Sequence, residues 1–336
     1  MTFDQRVEII ARLGFTPRQA RFLTLVALHS GYCLRRQYAT SAGVECGKNV
    51  TEFLERLVAR DVARRITFRR DRGHIYHLFA RSIYAALEQD DNRNRRYASP
   101  ALIARKLMLL DFVLTQPDRD WYVTETEKVD LFAGHLGVPM HALPHRTYEA
   151  VRRLAGPTVR YCVQKLPIFL TRNPTRVHFV CLVTDPSGRD IGLFIREHYP
   201  LLTQLAAHTL VVVRPAHVAN DHDCRAACER AMRAMITAPR ALDDATLHWF
   251  FDARRRIEQG ELRTLSIADI DRYRACRTRA GGTLDALYVQ WMEHQGPPIG
   301  TLDRIIRSTP PAEASQVVIA TLPYRYEQFG TLPGIA

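Results

Sequence analysis

Between residues 16 and 60 the apolar side chains recur every three or four positions, which is the spacing of one face of a helix. Thr16 and Pro17 stand where a cap residue and a first helical residue are preferred, so they open the first predicted helix. The predicted helices comprise residues 17–30, 34–41 and 48–60, with a tight turn at residues 42–43. The predicted order is therefore helix, turn, helix.

Two strand-like runs follow the third predicted helix, at residues 62–68 and 74–79. They are joined by Arg69-Arg70-Asp71-Arg72-Gly73, a polar segment typical of a hairpin connection. Three arginines at the tip of a β-hairpin are suited to contact a phosphate backbone. The pattern of residues 1–88 thus predicts a helical unit with a basic hairpin attached.

Helices followed by a basic hairpin in this order resemble the winged helix-turn-helix superfamily, over residues 1–88 of the 336. The resemblance implies that the third helix reads the major groove and that the wing touches the DNA backbone or the minor groove. Carried onto this sequence, the base-reading positions are Lys48, Asn49, Thr51 and Glu52. The implied phosphate contacts come from Arg35, Arg36, Arg69, Arg70 and Arg72. Winged helices also serve as protein-docking modules, and this alternative stays open.

The distribution of charge favours nucleic acid as the partner. Residues 1–106 hold 20 Lys and Arg against 10 Asp and Glu, and the whole chain holds 47 against 35, so residues 107–336 hold 27 against 25. Nearly all of the positive excess therefore lies on the N-terminal part, as expected of a surface that displaces counterions from phosphates. The alternative is an ordinary solvated surface of an arginine-rich protein.

Residues 89–99 interrupt the apolar pattern with a run of charged and amide side chains, which predicts a basic linker. Arg93, Arg95 and Arg96 in this linker either follow a phosphate backbone or keep the connection solvated. We include them among the candidate DNA-binding residues.

Residues 100–220 have the pattern of a mixed α/β domain. A strongly apolar helix at residues 100–116 comes first, and the segments that follow it change from helical to strand-like spacing. The predicted order is strands at 159–170 and 177–184, a helix at 191–206 and a strand at 209–213. The last strand is expected to return to the sheet through a crossover.

This order is similar to the core of the restriction-endonuclease-like superfamily, and to plasmid replication-relaxation proteins, in which a winged helix precedes such a segment. The family's nucleases bind Mg²⁺ through an acid near the second strand and an Asp/Glu-x-Lys triplet on the third. Here the strand at 177–184 contains no acid, since Asp185 follows its end, and Glu125 and Glu127 are wrongly spaced from Lys128. The resemblance therefore implies a degenerate core that binds or supports, and not an active nuclease.

Residues 221–336 predict a helical C-terminal region with an extended tail. The aromatic residues 248–251 are expected to anchor one helix in a core, and separate helices are expected after Ser266 and at 284–294. The β-like run at 317–320 would add an edge strand to this protein's own sheet or to a partner's. His217, His222, Cys224 and Cys228 are residue types that Zn²⁺ prefers, but their spacing matches no common zinc site, so no metal is predicted.

Composition limits the remaining choices. A chain of 336 residues exceeds the usual single core, no apolar run reaches the ~20 residues of a membrane span, and the first ten residues lack a signal-peptide core. Seven cysteines without framework spacing are typical of reduced thiols, which favours the cytoplasm. The predicted fold class is α+β, mainly helical: an N-terminal winged helix-turn-helix, a mixed α/β domain and C-terminal helices.

The function predicted from the sequence is non-catalytic binding of double-stranded DNA by a plasmid or mobile-element protein. It would act in replication, transfer or transcription control, without a cofactor, and its C-terminal half would be free to bind a protein partner. The first alternative is a divergent metal-dependent nuclease or relaxase-like component, which would use Asp185 or Asp190. The second is a winged-helix adaptor that docks protein.

Overall fold

A computed structural model describes residues 1–67, 73–148, 158–162, 166–172, 175–237, 244–293 and 315–326. Helices and sheets are mixed in it and helix predominates, so the predicted α+β, mainly helical class is confirmed. None of the described helices combines the length and the apolar composition that crossing a membrane would require.

The N-terminal unit, residues 1–88, contains the predicted helices within one or two residues of their expected ends. Its elements are α1 (Phe3–Ala11), α2 (Pro17–His29), β1 (Tyr32–Cys33), α3 (Arg35–Ala42), α4 (Lys48–Ala59), β2 (Ala63–Thr67), β3 (His74–Leu78) and α5 (Arg81–Ala86). Local chemistry explains two of the helix ends. Thr16 caps α2 reciprocally with Gln19, and Gly43 ends α3 in the left-handed conformation, with φ of 64°.

The sheet of the N-terminal unit has the strand order β1-β3-β2. The antiparallel pairing of β2 with β3 forms the predicted hairpin, whose tip at residues 68–72 lies outside the described residues. Strand β1 has no counterpart in the sequence prediction, because two residues are too few to show a period. It exists through pairing, with Tyr32 opposite His77 and their rings stacked 4.2 Å apart.

The second sheet has five strands in the order β10-β9-β8-β7-β4. Its strands are β4 (Trp121–Tyr122), β7 (Ile168–Arg172), β8 (Thr175–Leu182), β9 (His208–Pro215) and β10 (Ser315–Leu322). Strands β8, β9 and β10 are parallel, and α8 (Arg189–Gln204) makes the predicted crossover from β8 to β9. The C-terminal run therefore adds an edge strand to the protein's own sheet, one of its two predicted partners.

The single strand expected at residues 159–170 is instead divided between two sheets. Strand β6 (Thr158–Tyr161) pairs only with β5 (His145–Tyr148), whereas β7 joins the five-stranded sheet. Cys162 follows β6 with φ of 47°, a conformation that an extended strand cannot contain. The backbone turn at Cys162 therefore separates two runs that have the same strand-like composition.

Helix α6 (Pro100–Leu114) joins the two parts of the chain. It contacts α2, α3 and β1 on the side of the N-terminal unit, and β8 and β10 on the side of the five-stranded sheet. Its buried side chains share one hydrophobic core with both sides: Ile103, Leu107, Met108, Leu109, Leu110, Phe112 and Val113. The sequence of α6 is apolar on nearly all sides, and the structure accordingly covers two of its faces.

Part of the linker predicted at residues 89–99 packs against the N-terminal unit through buried side chains, while Arg93 and Arg96 are exposed. Asn94 is 3% exposed, and its side-chain amide donates to Ala27 O at 2.9 Å and Leu28 O at 3.1 Å. These carbonyls lie in the last turn of α2, where C=O groups have no N–H partner within the helix. A Cβ on Gly31 would lie 2.3 Å from Asn94 O, so this approach needs glycine.

A buried carboxylate connects three distant segments of the chain. Asp111 of α6 is 5% exposed, and it accepts two hydrogen bonds from the Arg36 guanidinium of α3, at 2.5 and 2.7 Å. The Tyr326 hydroxyl donates to the same carboxylate at 2.6 Å, and the Tyr324 ring lies 3.5 Å beneath the guanidinium. We call Arg36, Asp111, Tyr324 and Tyr326 the Asp111 node.

The remaining helices lie in the α/β part and in the C-terminal region. They are α7 (Glu125–Val129), which continues as a π-helical segment (Asp130–His135), α9 (Asp221–Thr237), α10 (Asp244–Glu258) and α11 (Ile267–Glu293). Phe250 and Phe251 of α10 are fully buried, so the predicted aromatic anchor is confirmed. The two helices expected after Ser266 and at 284–294 form one helix, α11, which packs on both α8 and α10.

Replacing the carboxylate of the Asp111 node should destabilise the protein. We expect Asp111→Asn to lower the free energy of unfolding by about 2–3 kcal/mol, because it leaves the Arg36 charge unpaired. This is less than for a fully buried pair, since the Arg36 side chain retains 29% exposure. Tyr326→Phe, which removes only one hydrogen bond, should cost about 1 kcal/mol. Urea unfolding measures both, and equal stabilities for Asp111→Asn and the parent protein would contradict this role.

Buried histidines make stability depend on pH. Burial lowers the pKa of His29 to about 3, whereas the unfolded chain titrates near 6.5. Between these values the unfolded chain binds more protons, so the stabilisation present above pH 6.5 is lost as the pH falls. His29→Gln should reduce the dependence of unfolding free energy on pH between 6 and 4 by about 1.4 kcal/mol per pH unit. Urea unfolding across this range tests it, and an unchanged slope would contradict it.

Candidate functional site

Helix α4 presents a polar face to solvent because its other face is held in the core. Its buried side chains are Val50, Phe53, Leu54 and Leu57. On the opposite side Lys48, Asn49 and Glu52 are exposed, and the Lys48 side chain retains 87% of its accessible surface. Thr51 is half-buried, and its hydroxyl donates to Gly47 O at 3.3 Å. Three of the four predicted base-reading side chains therefore lie together on one exposed surface.

An aromatic contact sets the position of α4 relative to α3. The Tyr38 ring of α3 lies 4.3 Å from the Phe53 ring of α4 and 5.1 Å from the Phe22 ring of α2. Aromatic packing of this kind stabilises the contact beyond the apolar area it buries. Because Tyr38 is 8% exposed, the three helices are locked together behind the polar face of α4. Sequence reasoning did not identify this residue, since one tyrosine in a short polar helix gives no period.

Helix α4 has no side-chain cap at its N-terminus, whereas three other helices have a threonine cap. Helices α1, α2 and α7 begin with reciprocal capping boxes at Thr2, Thr16 and Thr124. Helix α4 begins after Gly47, which has no side chain to accept a hydrogen bond, and residues 43–49 are all exposed. Its first backbone N–H groups are therefore accessible to an external acceptor, at the positive end of the helix dipole.

The charges on α4 balance one another. The helix carries Lys48 and Arg56 against Glu52 and Glu55, and Lys48 pairs with Glu52 at 3.7 Å. A positive surface here must therefore come from residues that flank α4 and not from the helix itself. The charge count over residues 1–106 does not reveal that α4 by itself carries no net charge.

The strands beside α4 supply arginines that the sequence analysis did not select. Arg64 and Arg65 are both exposed on β2, and Arg64 lies 4.3 Å over the Phe79 ring. Arg65 pairs with Glu55 at 3.0 Å, and the Tyr76 hydroxyl donates to the same carboxylate at 2.8 Å. Burial and the neighbouring Glu55 carboxylate raise the pKa of Tyr76, which keeps this hydroxyl protonated as a donor. The two adjacent arginines within the first predicted strand of the hairpin were the available sequence signal.

The predicted phosphate-binding arginines are distributed among different environments. Arg36 faces inward to the Asp111 node, so its expected role at a phosphate is corrected to a structural one. Arg35 is half-buried, and its Nε has no hydrogen-bond partner among the described residues. Arg69, Arg70 and Arg72 lie outside the described residues, so their predicted role remains a prediction.

The three arginines of the predicted linker do not act as one group. Arg95 bonds to the backbone, with Nη1 donating to Asp90 O at 2.8 Å and Nε to Phe79 O at 3.4 Å. Arg93 and Arg96 are exposed at a cavity whose other walls include α6 and α8. We call this the α6–α8 cavity. Sequence reasoning did not anticipate it, because its walls come from segments far apart along the chain.

The acids named for the nuclease alternative are held by local contacts. Asp190 pairs with Arg105 at 2.9 Å and accepts from the Thr184 N–H at 2.8 Å, whereas Asp185 accepts from the N–H and hydroxyl of Ser187.

Cys224 and Cys228 are buried, and burial raises the pKa of both thiols. Within the described part of the chain, no group of three or more potential ligands is arranged to hold a metal ion.

No protein-family model, no curated protein and no solved structure significantly matches this chain.

Proposed function

We propose that this chain binds double-stranded DNA without catalysing a reaction, and that its N-terminal unit is a winged helix-turn-helix. The observation that carries the proposal is the exposed polar start of α4, which follows α3 after a tight turn and is flanked by a basic hairpin. The order of helices and the strand order β1-β3-β2 support it. The excess positive charge of residues 1–106 supports it independently.

In this proposal α4 enters the major groove by its N-terminal end. Lys48 suits the acceptor edge of guanine, Asn49 can bond bidentately to adenine, and Glu52 can accept from the amino group of cytosine. All three side chains are exposed and free of the core. Thr51, with its hydroxyl directed to Gly47 O, contributes through its methyl group or after changing rotamer.

Phosphate contacts would come from two sources. The first is the uncapped N-terminus of α4, whose backbone N–H groups and dipole favour an anion. The second is a set of arginines, namely Arg64 and Arg65 on β2 beside α4, together with Arg69, Arg70 and Arg72, which the sequence predicts at the hairpin tip. Because α4 is itself neutral, these flanking arginines would supply most of the salt-dependent affinity.

The setting we propose is a plasmid or another mobile element, with the protein acting in replication, transfer or transcription control. Such a role requires the compartment that contains the DNA, which is the cytoplasm of a bacterial host. The α/β part and the C-terminal helices would position the N-terminal unit or bind a protein partner. The resemblance of the element order to plasmid replication-relaxation proteins supports this setting.

A titration on random-sequence duplex tests the proposal. Fluorescence anisotropy should show binding whose log K falls with log salt concentration by about 0.9 for each phosphate neutralised. Addition of Mg²⁺ should produce no cleaved or nicked strand on a denaturing gel. Absence of salt-dependent affinity would contradict DNA binding and favour the protein-docking adaptor. Mg²⁺-dependent strand cleavage that is lost in Asp190→Asn would favour the nuclease.

Two substitutions separate reading of bases from attraction to phosphates. Arg70→Ala should weaken binding to every duplex and reduce the salt slope by about 1, because it removes one phosphate contact. Asn49→Ala should cost about 1–3 kcal/mol on the preferred site alone, because it removes a contact to a base edge. The preferred site is first obtained by selection from a random duplex library.

The matched control for this pair is Arg263→Ala, an exposed arginine in the 3₁₀ turn Leu262–Thr264 of the C-terminal region. It removes the same charge as Arg70→Ala and should leave the salt slope unchanged. If Asn49→Ala and Arg70→Ala lower affinity equally on all duplexes, base reading by α4 is wrong. If Arg70→Ala, Asn49→Ala and Arg263→Ala all lower the affinity for DNA to the same extent, the affinity is not a property of the N-terminal unit.

A further inference from the structure

The α6–α8 cavity has the size and position of a ligand site. Its volume is about 540 Å³, within the range of cavities that hold small molecules in proteins. Residues 93–98 and α6 form one side, and α8 with the end of β8 forms the other. The cavity therefore lies between the segment that packs on the N-terminal unit and the crossover helix of the α/β part.

The entrance of the cavity is apolar, although it is open to solvent. Tyr97, Leu102 and Leu193 line it and retain 44%, 46% and 48% of their accessible surface. Leu109 and Phe194 lie among the buried lining residues. Large apolar side chains left exposed around one concavity indicate a surface that binds an apolar group.

The lining is also positively charged. It contains Arg93, Arg96, Arg105 and Lys106 against the single acid Asp190, which gives a net charge of +3. Arg105 pairs with Asp190, and Lys106 donates to Ser30 O at 2.8 Å and to Asn94 Oδ1. Neither Arg93 nor Arg96 forms an ion pair with any residue that the structure describes. Two cations at the entrance thus lack a negative partner.

We propose that the α6–α8 cavity binds a small organic anion with an aromatic or aliphatic body. The anionic group lies at Arg93 and Arg96, and the apolar body lies between Leu102 and Leu193. Because the walls come from two parts of the chain, the ligand stabilises their contact. The site stands whether or not the N-terminal unit binds DNA.

Three probe molecules test which features of a ligand the site recognises. Naphthalene-1-acetate carries both an anion and an apolar body, naphthalene-1-acetamide lacks the charge, and acetate lacks the body. Isothermal titration of the full chain should show saturable binding of naphthalene-1-acetate at one site. We expect the amide and acetate to bind at least about tenfold more weakly, because each lacks one of the two recognised features. Equal binding of the amide, or no saturable binding of naphthalene-1-acetate, would overturn the proposal.

Exposed residues of the cavity allow variants that keep the fold. Arg96→Gln should weaken binding of naphthalene-1-acetate about tenfold without changing binding of the amide. Leu193→Glu should abolish binding of naphthalene-1-acetate, because it places an acid against the apolar body. Arg196→Gln is the matched control, since Arg196 is exposed on the same helix as Leu193 but does not line the cavity.

Circular dichroism confirms that each variant retains the helical content of the parent protein. If Arg96→Gln and Leu193→Glu bind the probe as the parent does, the probe binds elsewhere and the proposed site is wrong. If Arg196→Gln weakens binding as much as Arg96→Gln, the effect is one of overall charge, and the proposed site is again wrong.

Discussion

The Asp111 carboxylate is the contact on which the arrangement of this protein depends. One buried acid receives the Arg36 guanidinium from α3 and the Tyr326 hydroxyl from the segment after β10, across separations of 75 and 215 residues. A buried charge is tolerated only when its partners satisfy it, so this contact forms only when the three segments come together. The node therefore couples the N-terminal unit to the end of the chain.

Helix α6 extends this coupling from one ion pair to a whole core. Its apolar side chains contact α2, α3 and β1 as well as β8 and β10, and the resulting cluster includes residues from Ile10 to Tyr326. The N-terminal unit is thus built into the α/β part and is not tethered to it by a flexible connector. If the unit binds DNA as we propose, its orientation relative to the sheet is set by this core, and any ligand of the α6–α8 cavity acts on the same contact.

The two proposed surfaces use positive charge in different ways. At α4 the helix itself is neutral, exposed arginines lie on the neighbouring strand β2, and the first backbone N–H groups of the helix have no side-chain cap. At the α6–α8 cavity, Arg93 and Arg96, which form no ion pair with a described residue, border an apolar entrance. The first arrangement suits an extended polyanion that covers many contacts, and the second suits a compact molecule with one anionic group. Net charge alone would not distinguish these surfaces.

The sequence by itself determined the elements whose signals are local. Capping at Thr16, the glycine at the end of α3 and the spacing of apolar residues located α2, α3 and α4, and alternation located the hairpin and the crossover unit. It also placed Lys48, Asn49 and Glu52 on an exposed face, since Val50, Leu54 and Leu57 define the apolar face of the same helix. These features depend on residues a few positions apart, which one sequence displays directly.

Only the tertiary structure decided the features that depend on distant residues. It turned Arg36 inward to Asp111, packed part of the segment 89–99 on α2 through Asn94, and divided the strand predicted at 159–170 between two sheets at Cys162. The sequence does not specify whether the partner of an arginine is a phosphate or a buried carboxylate. The choice between them is made by contacts dozens to hundreds of residues away, which no local pattern records.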